Sequence, residues 1–146
     1  MLSKSQARTF FLGGTIITFV VFLGLSWTSL TKEVPKRTHE ENLTAEVIAG
    51  KHLWESNNCM GCHSIMGEGA YYAPELTKVV ERRGEGYMKA VFSSKEPWAP
   101  RGRKMVAYNF NEEEANQLIA FFIWIGNTDL NGFPPKPDYK STINPK

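Results

Sequence analysis

The chain has 146 residues, 42% apolar and 22% charged, and contains two cysteines. Those figures exclude a disordered or collagen-like chain and a disulfide-stapled scaffold, and a formal net charge of +2 gives no electrostatic ground for a nucleic-acid partner. The charge is spread unevenly: residues 1–30 hold no acid and two bases, Lys4 and Arg8, so all fifteen acids and the other fifteen bases fall in residues 31–146.

The first predicted element is a membrane anchor. Phe10 to Leu30 is a run of 21 residues without an ionisable side chain. As a helix it measures about 31 Å at ~1.5 Å per residue, close to the roughly 30 Å hydrocarbon core of a bilayer. Trp27 near the end of the run suits a membrane interface, and Gly13 and Gly14 are tolerated in membrane helices. A cleaved signal peptide is the competing reading, but its apolar core is shorter, and Ser26-Trp27-Thr28-Ser29-Leu30 offers no A-x-A-like cut site. Residues 1–31 are therefore expected to form a short N-terminal stub and an uncleaved transmembrane helix, followed by a connector over residues 32–43. Bases flank both ends (Lys4 and Arg8 before, Lys32, Lys36 and Arg37 after), so the positive-inside rule does not set the orientation.

A second helix is predicted to begin at Thr44, whose hydroxyl is a natural N-cap. Val47, Ile48, Leu53 and Trp54 supply its apolar contacts, and it runs toward Cys59-Met60-Gly61-Cys62-His63. That motif is C-x-x-C-H: two thiols at a spacing that can add to the two vinyl groups of one haem, then a histidine placed to reach the iron. The alternatives are weaker. A thioredoxin-type C-x-x-C sits near a βαβ pattern, and none is visible. A structural zinc site needs four ligands, and His39 and His52 stand at no usual finger spacing. A plain disulfide leaves His63 unexplained. One covalent haem c is expected on Cys59 and Cys62, with His63 on the iron. Such attachment is normally completed on the far side of the cytoplasmic membrane. The expected topology is thus a single-pass protein of the bacterial inner membrane, with the stub in the cytoplasm and residues 31–146 in the periplasm.

Gly86–Phe92 reads as a short helix. The last helix is predicted over residues 112–125. Asn111 is its N-cap, Glu112, Glu113 and Glu114 lie in the first turn where the helix dipole favours acids, Glu114 completes a capping box, and Gly126 is its stop. Ala115, Leu118, Ile119, Phe122 and Ile125 form its core stripe. Leu118 through Ile125 is apolar at every position, so Phe121, Ile123 and Trp124 must cover something: haem or a loop of the same chain, or another protein or the bilayer surface. Arg101-Gly102-Arg103-Lys104 is a basic patch suited to haem propionates or an acidic donor, with a solvated loop as the default. Pro134-Pro135-Lys136-Pro137 argues for an extended C-terminal arm over residues 127–146.

Gly50, four residues before Trp54 and upstream of C-x-x-C-H, resembles the small-residue-then-aromatic pattern of class I cytochromes c, in which the glycine lets the C-terminal helix pass close by. The resemblance implies an all-α fold: a single N-terminal transmembrane helix followed by a class I cytochrome c domain over residues 44–126. It also implies a methionine as the second axial ligand. Met60 lies between the cysteines, Met66 is tethered to the histidine side, and Met88 reads as core packing of the short helix. Met105 stands in the loop before the last helix, where that family carries its ligand, and is the candidate, with Met88 second. Ala73-Pro74-Glu75-Leu76 resembles the family's turn after the haem motif, which implies that the Pro74 carbonyl accepts His63 Nδ1–H.

The order of parts, and the run from Trp54 to His63 continued by Gly67-Glu68-Gly69-Ala70-Tyr71-Tyr72-Ala73-Pro74-Glu75-Leu76, is similar to the cytochrome c subunits of bacterial nitric oxide reductases, from the anchor through the last helix. That resemblance implies an electron-transfer subunit without catalysis of its own. Its partner would be a large multi-helix subunit holding haem b and a haem–non-haem iron centre that reduces two NO to N2O. Its donor would be a soluble periplasmic cytochrome c or cupredoxin. It further implies a calcium ion between the subunits, for which Gly69 and Tyr71 are the candidates; a glycine turn packed on haem is an equally good account of that segment. Two other roles stay open: an anchored shuttle, although residues 32–43 hold little Gly or Ser for a long tether, and a cytochrome c subunit of a terminal oxygen reductase.

Overall fold

The computed structural model describes residues 3–99 and 102–134. The chain forms two compact units, residues 1–37 and residues 38–146.

The first unit is one long helix. Helix α1, Lys4–Thr28, opens with a capping box: Gln6 N–H donates to Ser3 Oγ at 3.2 Å, and Ser3 N–H donates to Gln6 Oε1 at 2.9 Å. Its Thr18 and Thr28 hydroxyls donate back to the Gly14 and Gly24 carbonyls, at 2.9 and 3.0 Å. That internal satisfaction is what a lipid environment demands of any polar group. Every large apolar side chain from Phe10 to Leu25 is exposed along the helix, and the helix is long and apolar enough to cross a membrane. It does not stop at residue 31. A π turn, Ser29–Glu33, leads into α2, Val34–Thr38. Val34 N–H reaches the Ser29 carbonyl across the widened turn. The widening falls just before Pro35, which has no N–H to continue the regular ladder and whose ring crowds the carbonyl four residues back. Most of the expected connector is therefore helical.

The second unit is built on two crossing helices. Helix α3, Ala45–Ser56, is capped by Thr44, whose hydroxyl accepts Val47 N–H at 3.3 Å. Its buried stripe is Val47, Gly50 and Trp54; Ile48, expected as a contact, falls off that stripe and is exposed. Helix α6, Glu112–Asn127, begins with a complete capping box, Asn111 and Glu114 exchanging two hydrogen bonds of 2.9 Å. The predicted stripe Ala115, Leu118, Ile119, Phe122 and Ile125 is buried, and Phe121 with it. The helices meet backbone to backbone: a Cβ on Gly50 would lie 2.0 Å from the Gln117 carbonyl oxygen. Around that crossing the aromatic rings close the core, with Trp54 edge-on to Phe122 at 5.5 Å and Phe92 on Phe122 at 6.4 Å.

The fully apolar run of α6 is mostly covered by its own chain. Phe121 packs on Trp54 at 6.4 Å, and Trp124 is half-buried with its indole N–H toward the His39 carbonyl at 3.4 Å. Only Ile123 of the three faces out, at 38% exposure. Gly126 is not the stop. The helix passes through it to Asn127, and Thr128 ends the run with an extended backbone, its N–H on the Ile125 carbonyl and its hydroxyl on the Trp124 carbonyl. Gly126 is needed for a different reason: a Cβ there would sit 3.3 Å from the Thr77 carbonyl oxygen.

Between the helices, β1 (Ser64–Ile65) and β2 (Glu68–Gly69) form a two-residue antiparallel ribbon with Ser64 opposite Gly69. Two short helices follow, α4 (Val79–Arg83) and α5 (Glu85–Phe92). Met88 on α5 is buried in the core at 4% exposure. The start of the C-terminal segment returns to the motif loop, with the Phe133 ring 3.6 Å from where a Gly67 Cβ would be. Residues 135–146, most of the expected arm and of its proline run, lie outside the described residues, as does Arg101.

Candidate haem site

The motif sits at the end of α3. Asn57 closes that helix, and Asn58 takes the left-handed conformation at φ 50°. A single 3₁₀ turn, Cys59–Gly61, then reverses the chain. Cys62 N–H and His63 N–H both point to the Cys59 carbonyl, at 3.2 and 2.9 Å. The turn thus sets the backbones of Cys59, Cys62 and His63 side by side. Cys59 is half-buried, Cys62 is exposed, and the two sulfurs are not bridged.

His63 is held on two sides. Its ring packs beside Trp54 at 6.4 Å, and Nδ1 lies 2.8 Å from the Pro74 carbonyl oxygen. A carbonyl only accepts, so Nδ1 carries the proton and the Nε2 lone pair is left free. Burial pushes the imidazole pKa down, the Pro74 hydrogen bond opposing it, and the neutral ring is the form a metal requires. Burial likewise pushes the Cys59 thiol up, to about 11.

Met105 lies in the loop before α6 and is half-buried against the core edge. Its backbone is pinned by a two-way bridge to Trp98, with N–H···O distances of 3.0 and 2.9 Å. Trp98 is anchored in turn by its indole N–H on the Tyr87 hydroxyl at 3.2 Å. Met88 has no such loop position and is a core thioether. Gly69 is a glycine for a steric reason: at φ 120° its missing Cβ would strike the His63 carbonyl at 2.3 Å. Tyr71 is highly exposed, its hydroxyl donating to the Gly67 carbonyl at 3.2 Å.

The sequence did not single out Tyr108, nor the contact that Arg103 makes. Tyr108 stands by the cysteines; its pKa is raised by burial and then by the nearness of Cys59 and Cys62, and its hydroxyl approaches the Asn57 carbonyl at 3.4 Å. Arg103 of the basic patch is not merely solvated: its guanidinium donates to the Tyr72 carbonyl and lies 5.4 Å above the Tyr72 ring. It thereby joins the Met105 loop to the loop after His63. No spacing rule announces either contact, because each partner is tens of residues away.

The donor set fits a covalently attached haem c. Two unbridged thiols, a neutral imidazole with a free Nε2, a thioether in a pinned loop and aromatic or apolar neighbours are what such a group requires. Calcium fits this chain less well. Among the described residues no three His, Cys, Asp or Glu side chains cluster for a metal, and Gly69 with Tyr71 falls short of the six to eight oxygens calcium takes.

Residues 47–124 match the family model described as cytochrome c. Over nearly the whole chain the sequence is similar to three curated proteins, each named as the C subunit of a nitric oxide reductase. That of Halomonas halodenitrificans is 44% identical, covering 93% of this chain and 96% of its relative. That of Stutzerimonas stutzeri is 38% identical with the same coverage. That of Paracoccus denitrificans is 35% identical over 92% of this chain and 95% of its relative.

Proposed function

Because the chain belongs to the cytochrome c family and, within it, to the C subunits of nitric oxide reductase, we propose that it is the electron-entry subunit of such an enzyme. It takes single electrons from a soluble periplasmic cytochrome c or cupredoxin and passes them to a haem b catalytic subunit that reduces NO to N2O. The observation that supports this is the C-x-x-C-H turn itself, with the His63 Nδ1 held by the Pro74 carbonyl of the following loop, in a chain that also holds a membrane-length helix.

In this proposal Cys59 and Cys62 would hold one haem c covalently, His63 and Met105 would hold its iron, and the group would supply one-electron redox chemistry. The protein's part is positional. Trp54 and the Pro74 carbonyl orient the imidazole, the Trp98 bridge holds the methionine loop, and Tyr108 stands beside the cysteines. The N-terminus lies in the cytoplasm and the haem unit in the periplasm. A calcium ion, if held through Gly69 and Tyr71, is shared with the catalytic subunit, which supplies its remaining oxygens.

The test is purification from membranes in mild detergent. Expected is a stoichiometric complex with a large haem b protein that turns over NO, and a haem c that resists acidified organic solvent. A lone, fully haem-loaded monomer would overturn the subunit assignment, and extractable pigment would overturn the haem linkage.

A further inference from the structure

We propose that Thr77, Glu75 and Arg82 form a hydrogen-bonded brace that positions the His63 imidazole and so sets the reduction potential of the haem; the inference rests on the haem assignment above. The His63 ring is only as fixed as the Pro74 carbonyl that accepts its Nδ1–H. Pro74 is itself exposed and has no N–H with which to pin its own turn. The hold comes from the residues after it. Thr77 is fully buried. Its hydroxyl accepts Met66 N–H at 2.7 Å and donates to Glu75 Oε1. The same carboxylate oxygen accepts Thr77 N–H at 2.7 Å. From α4, the Arg82 guanidinium donates to the Glu75 backbone carbonyl and lies 3.7 Å from the second carboxylate oxygen.

These contacts close a ring. Met66 is three residues past His63 and sits at φ 54°. The Leu76 N–H donates to the Ser64 carbonyl at 2.9 Å. Starting at His63, the path runs along Ser64 to Met66, crosses to Thr77, turns through Glu75 to Pro74 and returns to Nδ1. The Thr77 hydroxyl both accepts and donates, as burial requires. The turn is therefore held from both sides of the histidine at once. Groups that fix the outer nitrogen of a ligating histidine set its ring orientation and its basicity. A shorter, better aligned Nδ1–H···O bond makes Nε2 the stronger donor and favours ferric iron; loosening the brace favours ferrous iron.

The test uses the full-length haem-loaded protein in detergent, with Thr77→Val, Thr77→Ser and Arg82→Gln beside the parent. A haemochrome spectrum of each first establishes that haem is attached. Then ¹⁵N-histidine NMR of the ferrous protein reads solvent exchange of the His63 Nδ1 proton, and a spectroelectrochemical titration reads the potential. Thr77→Val is expected to speed that exchange about fivefold, the worth of one ordinary hydrogen bond, and to raise the potential. Arg82→Gln is expected to speed the exchange as well, and Thr77→Ser, which keeps the hydroxyl, to match the parent. Parent-like exchange in both Thr77→Val and Arg82→Gln, with haem attached, overturns the brace. If Thr77→Val does not accumulate as a folded haem protein, Arg82→Gln decides, since its side chain is 43% exposed and removes no core packing. A parent without a haemochrome overturns the haem assignment instead.

Discussion

Gly50→Ala tests the helix crossing on which the haem unit is built. In an open helix the change would stabilise by about 1 kcal/mol, because alanine restricts the unfolded chain and favours the helix. Here the new Cβ lands 2.0 Å from the Gln117 carbonyl oxygen, 2.6 Å from its carbon and 2.9 Å from Phe121 Cβ. Two of these atoms are backbone and the third is fixed to it, so no rotamer change relieves them. To reach ordinary contact near 3.4 Å the helices must separate by about 1.4 Å. Such a gap forfeits more than half the dispersion between Trp54, Phe121 and Phe122 where they meet. Overpacking costs typically about 1–3 kcal/mol, and rigid backbone on both sides puts this case near ~3. The net loss is about 2 kcal/mol, which lowers the melting temperature of a domain this size by roughly 8–16 °C. The assay is thermal unfolding of the haem-loaded protein, followed by far-ultraviolet circular dichroism and Soret absorbance. Gly86→Ala is the control: it lies in α5 with nothing within 4 Å of a new Cβ, and it should hold or raise the melting temperature. A Gly50→Ala protein that melts at or above the parent would refute the close crossing.

Two further outcomes are expected. Met105→Ala should abolish the near-infrared charge-transfer band of a low-spin methionine–histidine haem while the protein remains folded; an unchanged band would transfer the ligand role to Met88. Asn111→Ala removes the side-chain oxygen that receives Glu114 N–H and should cost about 1 kcal/mol, read as a melting temperature lower by about 4–8 °C, whereas an unchanged value would mean that the α6 cap is not formed in solution.

What the sequence determined by itself was local or periodic. Hydropathy over Phe10–Leu30 specified a membrane-length helix, because lipid solvates no charge and no open backbone. The C-x-x-C-H spacing pointed to haem c, because two thiols and a histidine so spaced can reach a single rigid macrocycle. The Thr44 and Asn111 caps and the α6 stripe followed from unsatisfied N–H groups and the 3.6-residue period, and both caps form as hydrogen bonds in the structure. Only the tertiary structure decided the rest. It carried the anchor helix on to Thr38 through a π turn before Pro35, and it gave Gly126 the task of admitting the Thr77 carbonyl. It also sent Phe121 and Trp124 inward when their pattern left the choice open. Above all it assembled Thr77, Glu75 and Arg82 behind the Pro74 carbonyl, and Arg103 against Tyr72. Polar contacts of that kind have no period and no fixed spacing; they depend on where a loop lands, and a loop lands where the helices beneath it have already packed.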